Sequence, residues 1–107
     1  MQVTSAGDGG GAMELGDWAE RFELLGDPTR LGLLAHMHQA GPGVATVSDL
    51  AAATGITRNA ASQALRILRD RGWVTAVRDP VDGRVVRYSL ADDTVHRILH
   101  LMGARHH

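Results

Sequence analysis

The chain contains no cysteine in its 107 residues. Disulfides and thiolate metal sites are therefore both excluded. Lysine is absent as well, and all eleven basic residues are arginine. Aromatic residues are scarce: two Trp, one Tyr and one Phe. No apolar run approaches the roughly 18 residues needed to span a membrane. Residues 1–12 have neither a basic n-region nor an apolar h-region and do not read as a secretory signal. A cytoplasmic protein is the simplest expectation, with no membrane partner. No Ser/His/Asp set, paired carboxylates or phosphate loop between strand and helix is present, so enzymatic chemistry is not expected.

What is present suits a single domain with a modest core or a dimer seam. The net charge is only −1, but it is unevenly distributed. Residues 1–55 carry two arginines against seven acids, net −5, and residues 56–107 carry nine against five, net +4. A basic half on a nearly neutral chain is the electrostatic footprint of a small nucleic-acid binder.

Residues 1–12 are Gly-rich and without periodicity, which reads as a disordered tail, and Met13 offers a second start. From Glu14 to Leu25, Leu15, Trp18, Ala19, Phe22 and Leu25 share one side of an amphipathic helix, with Arg21 and the acids opposite. Gly26-Asp27-Pro28 stops that helix and caps the next. The second helix runs to about Gln39, with Leu31, Leu34, Ala35 and His38 inward, and Gly41-Pro42-Gly43 ends it. Thr46 to Ala53 reads as a short helix capped by Thr46 or Ser48, with Val47, Leu50 and Ala51 inward.

Thr54-Gly55-Ile56-Thr57 is then a tight turn, with Gly55 supplying a positive φ and Thr57 a cap. Ile56 to Leu68 is helical, its apolar stripe about 100° wide. The opposite face holds Arg58, Asn59, Ser62, Gln63, Arg66 and Arg69. In isolation that face reads equally well as a solvated surface or as a surface for base edges and phosphates. Its neighbours decide in favour of DNA. A short helix, a Gly turn and a polar-faced helix make a helix-turn-helix. Trp73 to Val77 and Arg84 to Leu90 are β-type runs joined by a Pro- and Asp-Gly-containing turn, which together form a wing. A last helix, Ala91 to Met102, carries Val95, Ile98, Leu99 and Met102 at helical spacing. The expected fold is therefore mainly α with a small β-hairpin: a dimeric winged helix-turn-helix over residues 13–103, followed by a His-containing end at 104–107.

Within the recognition helix, Arg58, Asn59, Ser62 and Gln63 suit base edges, because arginine takes guanine and Asn or Gln takes adenine. Arg66 and Arg69 suit phosphates beside them, and Thr57, at the start of the helix, is counted with the DNA-binding set. Arg78, Arg84 and Arg87 place charge on the wing for the backbone or minor groove. A winged-helix module that binds a protein instead of DNA, or that recruits a protein co-regulator, is the rival from another class.

Leu24-Leu25-Gly26-Asp27-Pro28-Thr29-Arg30-Leu31-Gly32-Leu33-Leu34, Ser62-Gln63-Ala64-Leu65-Arg66-Ile67-Leu68 and Gly83-Arg84-Val85-Val86-Arg87-Tyr88-Ser89-Leu90 together resemble the ArsR/SmtB family of metal-responsive regulators. The resemblance spans residues 14–102. Ala64 departs from it, since the family pattern has His after Ser-Gln. Residues 78–84 also resemble the wing of the MarR family, which would imply a regulator without metal. The ArsR/SmtB resemblance implies a homodimer paired through its first and last helices on a pseudo-palindromic double-stranded operator.

The family's metal positions can be matched one by one. Where one of its sites has two cysteines, Thr46 and Ser48 stand here. Where another has Asp-x-His and a later His, Asp92, Thr94 and Arg105 stand. Neither site is intact. Instead, His96 and His100 share a face of the last helix at i, i+4, Asp92 lies one turn earlier, and His106 and His107 follow. This all-N/O donor set favours Ni²⁺, Co²⁺ or Zn²⁺ over soft ions. The pattern resembles the nickel-responsive actinobacterial members of the family. Without a metal these histidines read as polar residues on a solvated or dimer-facing helix. His36 and His38 point to different faces of their helix and read as structural.

Overall fold

A computed structural model describes residues 14–103. The expectations for the Gly-rich tail, for Met13 and for His106 and His107 fall outside those residues. The elements follow in the order α1 (Leu15–Leu25), α2 (Pro28–Ala40), β1 (Ala45–Thr46), α3 (Val47–Thr54), α4 (Arg58–Asp70), β2 (Val74–Arg78), β3 (Val86–Leu90) and α5 (Asp93–Leu101).

Local chemistry sets the helix starts. Asp27 accepts from the Arg30 amide at 3.1 Å, and Pro28 occupies the first turn of α2 with its φ already helical. Thr46, not Ser48, caps α3: its hydroxyl accepts from the Asp49 amide while the Asp49 carboxylate accepts from the Thr46 amide, each at 3.1 Å. This is a closed capping box. Thr57 opens α4 by accepting from the Ala60 amide at 3.0 Å.

The sheet is antiparallel in the order β1-β3-β2. β2 and β3 pair from Val74 opposite Leu90 to Arg78 opposite Val86. β1 was not expected; it pairs Ala45 with Tyr88 and Thr46 with Arg87, and two residues are too few to show a period. The expected strands are trimmed at two points. Trp73 lies before β2, buried, with its carbonyl accepting from the Ala91 amide at 2.9 Å. Arg84 and Val85 belong to the turn rather than to β3, since the Asp82 carbonyl accepts from the Val85 amide at 2.9 Å. Asp82-Gly83 therefore does not make a two-residue hairpin turn, and Gly83 keeps a negative φ.

The core gathers Leu33, Leu34 and Met37 of α2 with Leu50 of α3, Leu65 and Leu68 of α4, and Val95 and Leu99 of α5, against Trp73, Val74 and Tyr88. A Cβ added to Gly32 would lie 3.3 Å from the Thr54 methyl, which marks a close approach of α2 to α3. α1 departs from expectation. Its apolar stripe does not face the core: Leu15 is 61% and Phe22 62% exposed, and Trp18 is also exposed. Leu24 is the residue α1 buries fully, with Leu25 half-buried.

Arg21, expected on the solvent side, turns inward and fixes that orientation. Its Nη2 and Nε donate to the two Asp92 carboxylate oxygens at 2.7 and 3.0 Å, and its guanidinium lies 4.8 Å above the Trp73 ring. Asp92 also caps α5 by accepting from the Val95 amide at 2.9 Å. Burial alone would raise the Asp92 carboxyl, but the hydrogen bonds from Arg21 and the Val95 amide outweigh it and hold the group below the ordinary carboxylate range. The Asp92 hydrogen bond correspondingly raises Arg21, against the opposing effect of burial. Because the folded-state value is depressed, this stabilisation is present above about pH 4 and is lost as pH falls through the folded Asp92 value. Asp92→Ala, which removes both pair and cap, should cost about 2–4 kcal/mol in urea denaturation. Asp92→Asn keeps the cap and should cost less, and its deficit against wild type should vanish in acid.

Candidate nucleic-acid interface and histidine cluster

The residues expected to meet DNA fall into two groups. Arg58, Asn59, Ser62, Gln63, Arg66 and Arg69 all lie exposed on one side of α4, opposite buried Ala61, Leu65 and Leu68. The structure brings them together as the period of 3.6 requires. Arg58, Arg66 and Arg69 form no ion pair among the described residues. Thr57 is engaged in capping through its oxygen, which leaves its hydroxyl proton able to donate. A shallow polar recess of about 210 Å³ lies between α4 and β3, bounded by Ser62, Leu65, Arg66, Arg69 and Tyr88.

The wing arginines differ from those of α4 because each has an internal partner. Arg78 donates to the Gly83 carbonyl across the loop. Arg84 donates to the Asp82 carboxylate at 3.2 Å and pairs with it; this bond, together with the Arg84 amide, lowers the Asp82 carboxyl. Arg87, half-buried, reaches the Val44 carbonyl at 3.1 Å, beside β1. The tip also carries one apolar side chain, Val81, 93% exposed.

The histidines separate in an unexpected way. His38 is buried, 3% exposed, and its ring centre lies 4.6 Å from that of His96 and 6.5 Å from that of His100. His36 lies apart, beside Gln39 and Asp49 in the groove between α2 and α3. The helical spacing of Leu34 and His38 signalled that His38 points inward; that it meets α5 could not be read from the spacing within one helix. Asp92 is held by Arg21 and the α5 cap, so an ion there would have to compete with both. No three His, Asp or Glu side chains among the described residues already stand in ligating positions.

The model of the MarR family matches residues 27–85, which run from the α2 cap to the end of the loop before β3. A curated transcriptional repressor, the SmtB homolog of Synechocystis, is 43% identical over 77 residues, covering 72% of this chain and 54% of that protein. The crystal structure of the antimony-specific transcriptional repressor AntR superposes with a TM-score of 0.69 at 30% identity, covering 94% of this chain and 91% of that one. The chain belongs to the ArsR/SmtB family of winged helix-turn-helix transcription regulators. The MarR match covers α2 to β2 and omits α1, β3 and α5. A solution structure of a homodimeric winged helix-turn-helix domain, Mb0332 from Mycobacterium bovis, has a TM-score of 0.65 at 27% identity, covering 88% of this chain and 86% of that one. These ArsR/SmtB relatives are regulators rather than enzymes. The chain spans 54–62% of the length of the curated regulators it matches.

The turn that orients α4 depends on Gly55, whose φ is 74°. An added Cβ would meet no atom within 4 Å, so a side chain there costs only backbone strain. Gly55→Ala should therefore lower stability by about 1–2 kcal/mol in urea denaturation. An unchanged midpoint would show that the turn does not need glycine.

Proposed function

We propose that the chain is a cytoplasmic, homodimeric transcription regulator that grips a pseudo-palindromic operator with α4 and the wing. We further propose that a divalent metal, Ni²⁺ before Co²⁺ or Zn²⁺, controls that grip. The observation that carries the DNA reading is the exposed face of α4. It presents Arg58, Arg66 and Arg69 without an ion pair among the described residues, and Asn59, Ser62 and Gln63 between them. Arg58, Asn59, Ser62 and Gln63 read base edges, Thr57, Arg66 and Arg69 hold phosphates, and Arg78, Arg84 and Arg87 carry the wing along the backbone.

A second copy of the chain is the occupant of the α1 stripe. Leu15, Trp18 and Phe22 stand exposed together, with the Trp18 and Phe22 rings stacked at 6.1 Å, and a related domain is itself a homodimer. One recognition helix reads only a few base pairs, so two on one symmetry axis are needed for useful affinity. The metal reading is supported by the donor chemistry on α5: His96 and His100 one turn apart, with no cysteine thiolate anywhere in the chain. His106 and His107 extend that donor set, and Asp92 joins it only by giving up Arg21.

Fluorescence anisotropy on operator and random duplexes tests the DNA reading. Arg58→Ala and Gln63→Ala should each cost about 1–3 kcal/mol on the operator and less on random DNA. Log affinity should fall with log salt at a slope near −0.9 per phosphate contact. Salt-insensitive, sequence-blind binding would favour a protein partner for α4, and an operator affinity indifferent to all three metals would favour a MarR-like regulator. Trp18→Glu with Phe22→Glu should give a monomer in sedimentation and weaken operator binding. A persisting dimer would place the seam elsewhere.

A further inference from the structure

His38 occupies a position that helical spacing assigns to the core. It follows Leu34 by one turn on the inner side of α2 and is as deeply buried as its apolar neighbours. Its ring faces two further imidazoles from another helix. We propose that His38 of α2 and His96 of α5 are the central ligands of a metal site within one protomer. His100 completes it after a change of rotamer, and water fills the remaining positions. This rests on the metal-responsive reading above and extends it to a residue on a second helix.

The geometry suits an ion. With a metal–nitrogen bond of about 2 Å, a ligating ring centre sits about 3 Å from the metal, so two ligands of one tetrahedral ion have ring centres about 5 Å apart. The His38–His96 separation of 4.6 Å is close to that, whereas His100, 6.5 Å from His38, reaches it only by its change of rotamer. A cavity of about 80 Å³ lies against both His38 and His96, between Met37, Leu90 and the Gly41-Pro42 corner. A wider recess of about 300 Å³ lies against His96, His100 and Arg97. His96 thus borders both spaces, and an ion entering from the outer recess reaches His38 by passing His96. Neutral imidazoles without thiolate select borderline divalent ions.

The position also gives the ion something to control. α2 is the helix against which α3 packs, through Gly32 and Thr54, and α3 sets the turn into α4. An ion shared by His38 and His96 ties α5 to that scaffold, so metal occupancy biases where the recognition helix stands. Such control requires that the ion bind one arrangement of α2 and α5 more tightly than the other.

Two measurements test this. In long-range ¹H–¹⁵N spectra of the wild-type protein, Zn²⁺ should shift the ring nitrogens of His38 and His96 together. In calorimetry, His38→Gln should weaken Ni²⁺ binding by at least the roughly ten- to hundredfold that loss of even an outer-shell partner causes. The wild-type spectra keep the test valid if the variant folds poorly. Shifts at His96 and His100 with none at His38 would overturn the proposal while leaving a metal on α5. No heat and no shift with Ni²⁺, Co²⁺ or Zn²⁺ would overturn the metal-responsive reading itself.

Discussion

Arg21 and Asp92 stand 71 positions apart and meet through two hydrogen bonds in a partly buried pair, with side chains 14% and 17% exposed. Three parts of the fold hang on that contact. α1 buries little of its own, Leu24 fully and Leu25 in part, so the pair decides which side of α1 turns inward. α5 starts at Asp92, because the same carboxylate caps its first turn. The guanidinium covers Trp73, whose carbonyl closes the base of the hairpin. Partly buried charges are costly unless their remaining hydrogen-bonding capacity is met. Here the Asp17 carbonyl takes a further Arg21 proton and the Val95 amide a further Asp92 lone pair.

The features legible in the sequence are those whose causes lie within four residues. The Asp27 and Thr57 caps, the Gly55 turn and the outward face of α4 all follow from local hydrogen bonds or from a 3.6-residue period, and all are present. The features that were not legible depend on partners far along the chain. The facing of α1 required knowing that Arg21 has a carboxylate at position 92. β1 exists only because β3 passes beside it. The Asp82-Gly83 turn looked like a tight hairpin, but Asp79 and Arg78 tie down a broader loop, so glycine's freedom is not used there. His38 combines both cases: its burial followed from its place one turn after Leu34, and its neighbours did not.

These features divide the molecule by chemistry. The surface facing away from the core on α4 is polar and arginine-bearing, the exposed side of α1 is apolar, and the α2–α5 seam holds imidazoles. The seam adjoins the helices of the other two surfaces, since α2 supports α3 and α5 begins at the contact that orients α1. A change at the seam therefore has a short mechanical path to both.

The Arg84–Asp82 pair at the wing has a consequence of its own. Asp82 acts as a built-in counterion, so the tip presents a nearly neutral surface to any polyanion that does not displace it. The carboxylate engages Nε and Nη2 of an otherwise exposed guanidinium and takes nothing from Nη1. Such a tip exerts little net field at a distance, because paired charges cancel beyond the contact itself. The exposed side of α4 has no such cancellation, since Arg58, Arg66 and Arg69 form no ion pair among the described residues.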